Sequence, residues 1–263
     1  MMEFWELFYY YFLAGMSILA VIIFIAIQFI TPAYGITFNP KWGVSIRSNV
    51  GWMVMESPVF ISMLLLFLLS MKYDVKPFNV VTFTIFLFFQ VHYIERSFIF
   101  PLLMKGNSKM PISIIILGFF FNSCNAFMQG GWLFFFSPEG FYPISWFWSW
   151  QFIVGSILFI TGMVINLHSD DIIRHLRTDK NDNNYYIPYG GFFKYVSSAN
   201  YFGEILEWIG FAILSWSLAG VVFVLWSFAN IVPRAAAIYK RYSLFFGDEF
   251  TKLNRYKIFP FVY

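Results

Sequence analysis

The sequence is poor in charge and almost without cysteine. Only 12% of its 263 residues are Asp, Glu, Lys or Arg, about half the share of a soluble domain. The single cysteine, Cys124, excludes an intrachain disulfide framework, and no Cys/His group has zinc-ligand spacing, so no structural metal is expected. Cys124 reads as a small packing residue in an apolar run. No GxGxxG follows a predicted strand, so a dinucleotide, if one binds, is held by helices rather than by a Rossmann unit. The first eleven residues are acidic and aromatic, unlike the basic start of a secretory signal. The run 12–30 is too long for a signal core and has no small-residue cleavage site.

What the chain has instead is apolar length. It is 59% hydrophobic and 24% aromatic, with mean hydropathy +0.66. A soluble protein of this composition would expose large apolar patches. In a bilayer the lipid tails cover them, and each crossing helix needs about 20 residues. The expected fold is an all-α integral membrane protein with seven transmembrane helices, at 9–30, 50–71, 78–103, 111–136, 146–168, 198–216 and 217–236. The competing count is six spans, with 198–236 as one long helix bent at Ser215 to Gly220. No internal repeat or separate soluble domain is visible. One membrane domain over 1–263 is expected, with 1–110 supplying substrate and catalytic helices and 111–263 the cofactor helices.

Orientation follows from the basic residues, which accumulate in cytoplasmic loops. With seven spans and the N-terminus outside, the inside face holds Lys41, Arg47, Lys105, Lys109, Arg174, Arg177, Lys180 and Lys194. The C-terminal tail adds Arg234, Lys240, Arg241, Lys252, Arg255 and Lys257. Outside lie Lys72 and Lys76 alone, and Arg96 falls within a span. The C-terminus is therefore expected in the cytoplasm, in a bacterial inner membrane or an endoplasmic reticulum.

Ionisable residues within spans cost about 2.5–3.5 kcal/mol each on insertion scales, and this chain carries several. Glu56 precedes Pro58 in the second span. It reads either as an interfacial carboxylate facing headgroup water or as a buried neutral acid able to donate a hydrogen bond to a substrate carbonyl. The third span holds His92, Tyr93, Glu95 and Arg96. The bland reading is an ion pair neutralising Arg96. Beside His92 and Arg96, Tyr93 is also a candidate acid for the same carbonyl. Asn166, Asp170, Arg174 and Arg177 follow spacings of 4, 4 and 3, which form one helical stripe. Arg suits phosphates, and Asn and Asp suit ribose hydroxyls or an amide. Asn200, Glu204, Glu207 and Trp208 share another face, and the acidic pair needs partners, with Arg174, Arg177 and the amide of a nicotinamide ring as candidates. Gly203 and Gly210 permit close approach of a helix or a flat ligand. In the basic tail, Arg234 and Tyr242 are candidates for the same cavity, while Lys252, Arg255 and Lys257 read as headgroup anchors.

Together these strings resemble the steroid 5α-reductase family (3-oxo-5α-steroid 4-dehydrogenases). The matching segments are "ESP" with upstream Trp52, "VHYIERSF", "CNAFMQG", "GMVINLHSDDIIRHLR", "YIPYGGFFKYVSSANYFGEILEWIG" and "IFPF", from about residue 50 onward. The resemblance implies a seven-helix enzyme with NADPH in a cytosol-facing cavity, reducing a carbon–carbon double bond conjugated to a ketone. It implies Glu56 and Tyr93 as the catalytic pair on the substrate carbonyl. Asn166, Asp170, Arg177, Asn200, Glu204, Arg234 and Tyr242 match its cofactor positions, and Arg174 fits the same stripe. Trp52 and Trp208 match aromatic positions of the steroid pocket. The expected partners are an apolar steroid-like substrate entering from the bilayer and membrane lipids, with no nucleic acid, no metal and a monomeric chain. Ile238 stands where the mammalian enzymes have His, and Asn107, Leu117 and Tyr186 replace arginines, so some contacts differ. Rival readings are a reductase of an enoyl thioester or polyprenol, an isoprenylcysteine-type methyltransferase, and a transporter.

Overall fold

A computed structural model of the chain describes residues 2–30, 35–177, 182 and 184–263. Lys180, counted above with the inside loops, lies outside the described residues. The long helices are α1 (Met2–Phe29), α2 (Ser48–Lys72), α3 (Val80–Ile94), α5 (Ile112–Gly131), α6 (Trp150–His175), α7 (Ala199–Ser215) and α8 (Leu218–Phe246). A π-helical turn at Glu95–Ile99 joins α3 to the short α4 (Phe100–Leu103), and a second, Trp132–Phe136, extends α5. A last short helix, α9 (Asp248–Thr251), follows α8. Among the described residues, five helical stretches are long and apolar enough to cross a membrane: 3–29, 48–72, 112–136, 150–175 and 218–246. The chain is thus a helical, multi-pass membrane protein.

The first helix shows how the composition is used. Tyr9, Leu13, Met16 and Ala20 are buried at spacings of 4, 3 and 4, while Ile18, Val21, Ile22 and Ile25 are exposed on another face. One stripe packs on the protein and the rest is left to lipid. Tyr9 Oη donates to the Met128 carbonyl (2.6 Å) and Trp226 Nε1 donates to the Met16 carbonyl (2.9 Å), fastening α1 to α5 and α8.

Two short strands, β1 (Ser45–Arg47) and β2 (Lys109–Pro111), pair antiparallel with Ser45 opposite Pro111 and Arg47 opposite Lys109. Each strand leads into a helix, and α2 and α5 lie side by side pointing the same way: a Cβ on Gly51 of α2 would meet Ile115 near the start of α5, and one on Gly130 near the end of α5 would meet Met63 of α2. Glu56 in α2 and Asn122 in α5 therefore reach similar depth, at 1.5 Å of rise per residue.

The segment at Ser215 to Gly220 is a true break. Trp216 takes a left-handed conformation (φ 46°) and Ser217 caps the next helix by accepting from Gly220 N. Tyr142 Oη donates to the Ser215 carbonyl (2.5 Å), tying the break to the bundle. Helix α6 starts at Trp150, later than expected, because Ile144–Trp148 forms a 3-10 turn and Ser149 caps α6. It then runs unbroken through Asn166, Asp170 and Arg174 and ends at His175, so Arg177, the last member of the stripe, lies just beyond the helix.

Helices α6 and α7 form the closest crossing. A Cβ added to Gly155 or Gly162 of α6, or to Gly203 or Gly210 of α7, would sit 2.3–2.5 Å from a backbone nitrogen of the other helix. Gly203 and Gly210 thus admit a helix rather than a flat ligand. After α8 the chain folds back: Val196 and Tyr256 form a parallel bridge, and Ser197 Oγ donates to the Lys257 carbonyl (3.0 Å). Ile258 and Phe259 of the closing "IFPF" pack with Ile205 and Ile231.

Candidate active site

A cavity of about 870 Å³ lies among α1, α2, α3, α5, α6, α7 and α8, near the upper end of the roughly 300–1,000 Å³ of small-molecule sites. Its wall carries Trp52, Glu56, Tyr93, Asp170, Arg174, Arg177, Asn200, Glu204, Trp208, Arg234 and Tyr242. Of the residues expected to touch cofactor or substrate carbonyl or to line the steroid pocket, Asn166 is the one off this wall. It is buried, and its amide donates to the Asn200 carbonyl (2.9 Å), clamping α6 to α7.

The middle of the cavity is built on Arg96, at the π-helical turn. Arg96 Nη1 donates to Asp170 Oδ2 (3.2 Å) and Nη2 lies 3.7 Å from Glu204 Oε2. The guanidinium also stacks over Phe100 (4.6 Å) and Trp52 (5.2 Å). Asn200 Nδ2 donates to Asp170 Oδ1 (2.9 Å). So Asp170 of α6 and Glu204 of α7 are both held by Arg96 of the third helical rod, and Glu204 is not paired with Arg174 or Arg177, its candidates in the sequence. Arg174 instead pairs with Asp171 (3.1 Å), and Arg177 Nη1 donates to the Lys105 carbonyl (3.0 Å) while Lys105 Nζ returns a bond to Arg177 O. Glu207 is fully buried and faces His92, with Nδ1 to Oε1 at 2.8 Å. His92 also meets Trp208 edge-to-face at 4.4 Å.

Two residues on α5 reach Glu56 and Tyr93 and carried no role in the sequence reading. Asn122 Nδ2 donates to the Met55 carbonyl (2.8 Å) and to Glu56 Oε2 (3.1 Å). Asn125 Nδ2 donates to Tyr93 Oη (2.9 Å). Spacings of 3 and 4 along Asn122, Asn125 and Gln129 mark one helix face, the same signal that exposed the α6 stripe.

At one end of the cavity the wall is cationic. Arg174 comes from the last turn of α6, Arg177 from just beyond it and Arg234 from α8, with Tyr242 two turns further along α8. Arg234 lies 5.8 Å above the Tyr201 ring. Ser198 Oγ is buried on the same wall with no partner among the described residues. Three permanently charged donors, an unpartnered hydroxyl and the Asn200–Asp170 pair suit a ligand carrying phosphates and ribose. Among the described residues no His/Cys/Asp/Glu group has the geometry to hold a metal. Ile238 and Leu117 line the cavity, whereas Asn107 and Tyr186 do not.

The family model for 3-oxo-5-alpha-steroid 4-dehydrogenase matches residues 108–263. The chain belongs to this family. The steroid 5-alpha-reductase DET2 of Arabidopsis thaliana is 37% identical over 245 residues, covering 91% of this chain and 90% of the plant protein. The 3-oxo-5-alpha-steroid 4-dehydrogenase 1 of Rattus norvegicus is 33% identical over 254 residues, covering 93% and 91%. The human protein of the same name is 40% identical over 175 residues, covering 66% and 65%. As a 3-oxo-5-alpha-steroid 4-dehydrogenase family member the chain is an oxidoreductase acting on CH–CH groups, a class that implies a nicotinamide cofactor.

Proposed function

We propose that this protein reduces the C4–C5 double bond of 3-oxo-Δ4 steroids with NADPH, in a bundle that crosses the membrane seven times with its N-terminus outside and its cofactor end in the cytoplasm. The observation that carries the reading is the placing of Glu56 and Tyr93 on one cavity wall, each with an amide donor from α5 behind it. Family membership and the names of the relatives supply the substrate class.

Arg174, Arg177, Arg234 and Tyr242 hold the phosphates of the cofactor, and Asp170, Asn200 and Glu204 its ribose and amide groups. Asn166 acts at one remove, by holding Asn200 in place. Bound there, NADPH supplies a hydride to the β-carbon of the enone, C5 of the steroid. The flat apolar substrate enters from the bilayer and lies between Trp52 and Trp208. Glu56 and Tyr93 donate hydrogen bonds to its 3-oxo oxygen, which withdraws electron density from C5 and stabilises the enolate that hydride addition leaves. C4 then takes a proton, restoring the ketone. Holding the reacting carbon in place against the cofactor is itself a large part of the rate. A cytoplasmic cofactor end agrees with the excess of Lys and Arg at the Arg174 and C-terminal side of the chain.

The test is NADPH oxidation by the detergent-purified protein with testosterone or progesterone, with the product identified. A 5α-reduced product whose formation is lost in Glu56→Gln and Tyr93→Phe is expected. Saturable NADPH binding without turnover of either steroid would move the substrate to another enone. Wild-type turnover in both variants would overturn the assignment of the acid pair.

A further inference from the structure

We propose that Asn122 and Asn125 are positioning residues that set the direction of the two hydrogen bonds offered to the substrate, by donating to Glu56 and Tyr93 so that the carboxyl and phenol protons are left for the ligand. This rests on the acid-pair reading above and goes further, because it names what makes those two groups donors.

The direction is written in the amide network. Gln129 Nε2 donates to the Ala219 carbonyl (3.0 Å) and to Asn125 Oδ1 (3.3 Å). An amide nitrogen is only a donor and an amide oxygen only an acceptor. With its oxygen taken by Gln129, Asn125 must present its NH2 group to Tyr93 Oη. A phenol has one proton. With Oη accepting from Asn125, that proton points elsewhere, and Tyr93 lies on the cavity wall. Were Asn125 turned over, its oxygen would take the phenol proton and Tyr93 would have nothing to give. The chain of donation runs from Gln129 to Asn125 to Tyr93, and its free end is the phenolic O–H.

The same logic holds one turn earlier on α5. Both Nδ2 hydrogens of Asn122 have acceptors, the Met55 carbonyl and Glu56 Oε2. Oε2 is thereby held as an acceptor, and in the neutral acid the proton sits on Oε1. Asn125 is fully buried and Asn122 nearly so, so no bulk water competes for these bonds. Leaving such donors and acceptors unmade is costly in low dielectric, which keeps the pattern fixed before any ligand arrives.

The experiment is a double-mutant cycle on the full chain, with Asn125→Leu and Tyr93→Phe singly and together. Asn125→Ala replaces the leucine variant if the latter does not fold. Melting temperature and NADPH affinity report on folding. Asn125→Leu is expected to lower kcat roughly tenfold with KM for the steroid little changed, the loss of one hydrogen bond realised in the transition state. In the Tyr93→Phe background it is expected to cost nothing further, because the group it acts through is gone. If Tyr93→Phe turns over too slowly to measure, the same cycle is read on the affinity of the NADP+-loaded enzyme for a steroid bearing a carboxylate in place of the 3-oxo group, which mimics the enolate oxygen and so reports the bond made in the transition state. An equal loss in both backgrounds overturns the proposal and assigns Asn125 to packing alone. Wild-type turnover in Tyr93→Phe itself overturns the acid-pair reading, a different outcome. The parallel cycle of Asn122→Leu with Glu56→Gln reads the second bond in the same way.

Discussion

Gly162→Ala tests whether the cofactor end depends on the close approach of α6 and α7. The added Cβ would lie 2.3 Å from Glu207 N and 2.6 Å from Gly203 O. Both are backbone atoms, so no rotamer change relieves the overlap. Ordinary carbon contacts need about 3.5 Å, and the two helices must therefore part by roughly 1 Å. The Asn200–Asp170 bond that spans this interface is 2.9 Å, and Asn166 reaches Asn200 O at the same distance. A retreat of that size takes both out of hydrogen-bonding range. Overpacking of this kind costs about 1–3 kcal/mol, and the melting temperature should fall by roughly 5 °C. NADPH affinity should fall with it, since Asp170 and Asn200 move apart. Gly155→Ala is the informative partner. Its Cβ meets Leu214 N at 2.4 Å, about three turns from the Asn166–Asp170 stripe, so it should destabilise the fold with a smaller effect on the cofactor. Gly15→Ala, with nothing within 4 Å, should change neither. Thermal melting and cofactor titration of the three variants in one detergent give the comparison. Gly162→Ala with an unchanged melting temperature and unchanged NADPH affinity would refute the reasoning.

Arg96→Leu should be more damaging, because it leaves Asp170 and Glu204 buried without their cation. Removing one partner of a buried pair costs about 3–5 kcal/mol, and low yield with lost NADPH binding is expected, whereas Arg96→Lys should retain more stability. Lys76 lies in the loop between α2 and α3, where partial burial pushes its ammonium down to about 8 and Glu6 opposes the shift. Between that value and the ordinary lysine range the unfolded chain keeps a proton the folded chain has released, so stability should rise as pH goes from 7 to 9. The rise should be small for a half-exposed group and should flatten in Lys76→Met, as read by melting temperature across that range. Lys72→Cys and Lys252→Cys in a Cys124→Ala background test the orientation. An impermeant maleimide added to sealed cells should label the first and spare the second, and the reverse would invert the bundle.

Much of this was legible because a bilayer makes polar side chains conspicuous. Asp170, Glu204 and Arg96 stood out in apolar surroundings, and helical spacing alone joined Asp170 to Arg174 and Arg177. The long helices fall where the apolar runs predict them, since apolar length is a local property, but α1 begins earlier than expected and α6 and α8 run on well past their expected ends, because a helix continues beyond its apolar stretch. What spacing does not carry is which helix answers which. Glu204 was matched with Arg174 on sign alone, yet its cation is Arg96, delivered by a π-helical turn that leaves no mark in the sequence. Gly203 and Gly210 announced a close approach without saying what approaches, and the answer, α6, lies in the matching pair Gly155 and Gly162. Asn166 looked like a ligand contact because it heads the stripe, but a buried amide with a backbone carbonyl within reach serves a helix crossing equally well. The most instructive omission is on α5. Asn122, Asn125 and Gln129 are uncharged, so a search for expensive charges passes over them. In low dielectric a neutral amide also demands partners, and three on one face of an apolar helix carry the same message as a carboxylate. Applied to amides as strictly as to charges, that rule leads from α5 to Glu56 and Tyr93, the two groups the proposed chemistry needs.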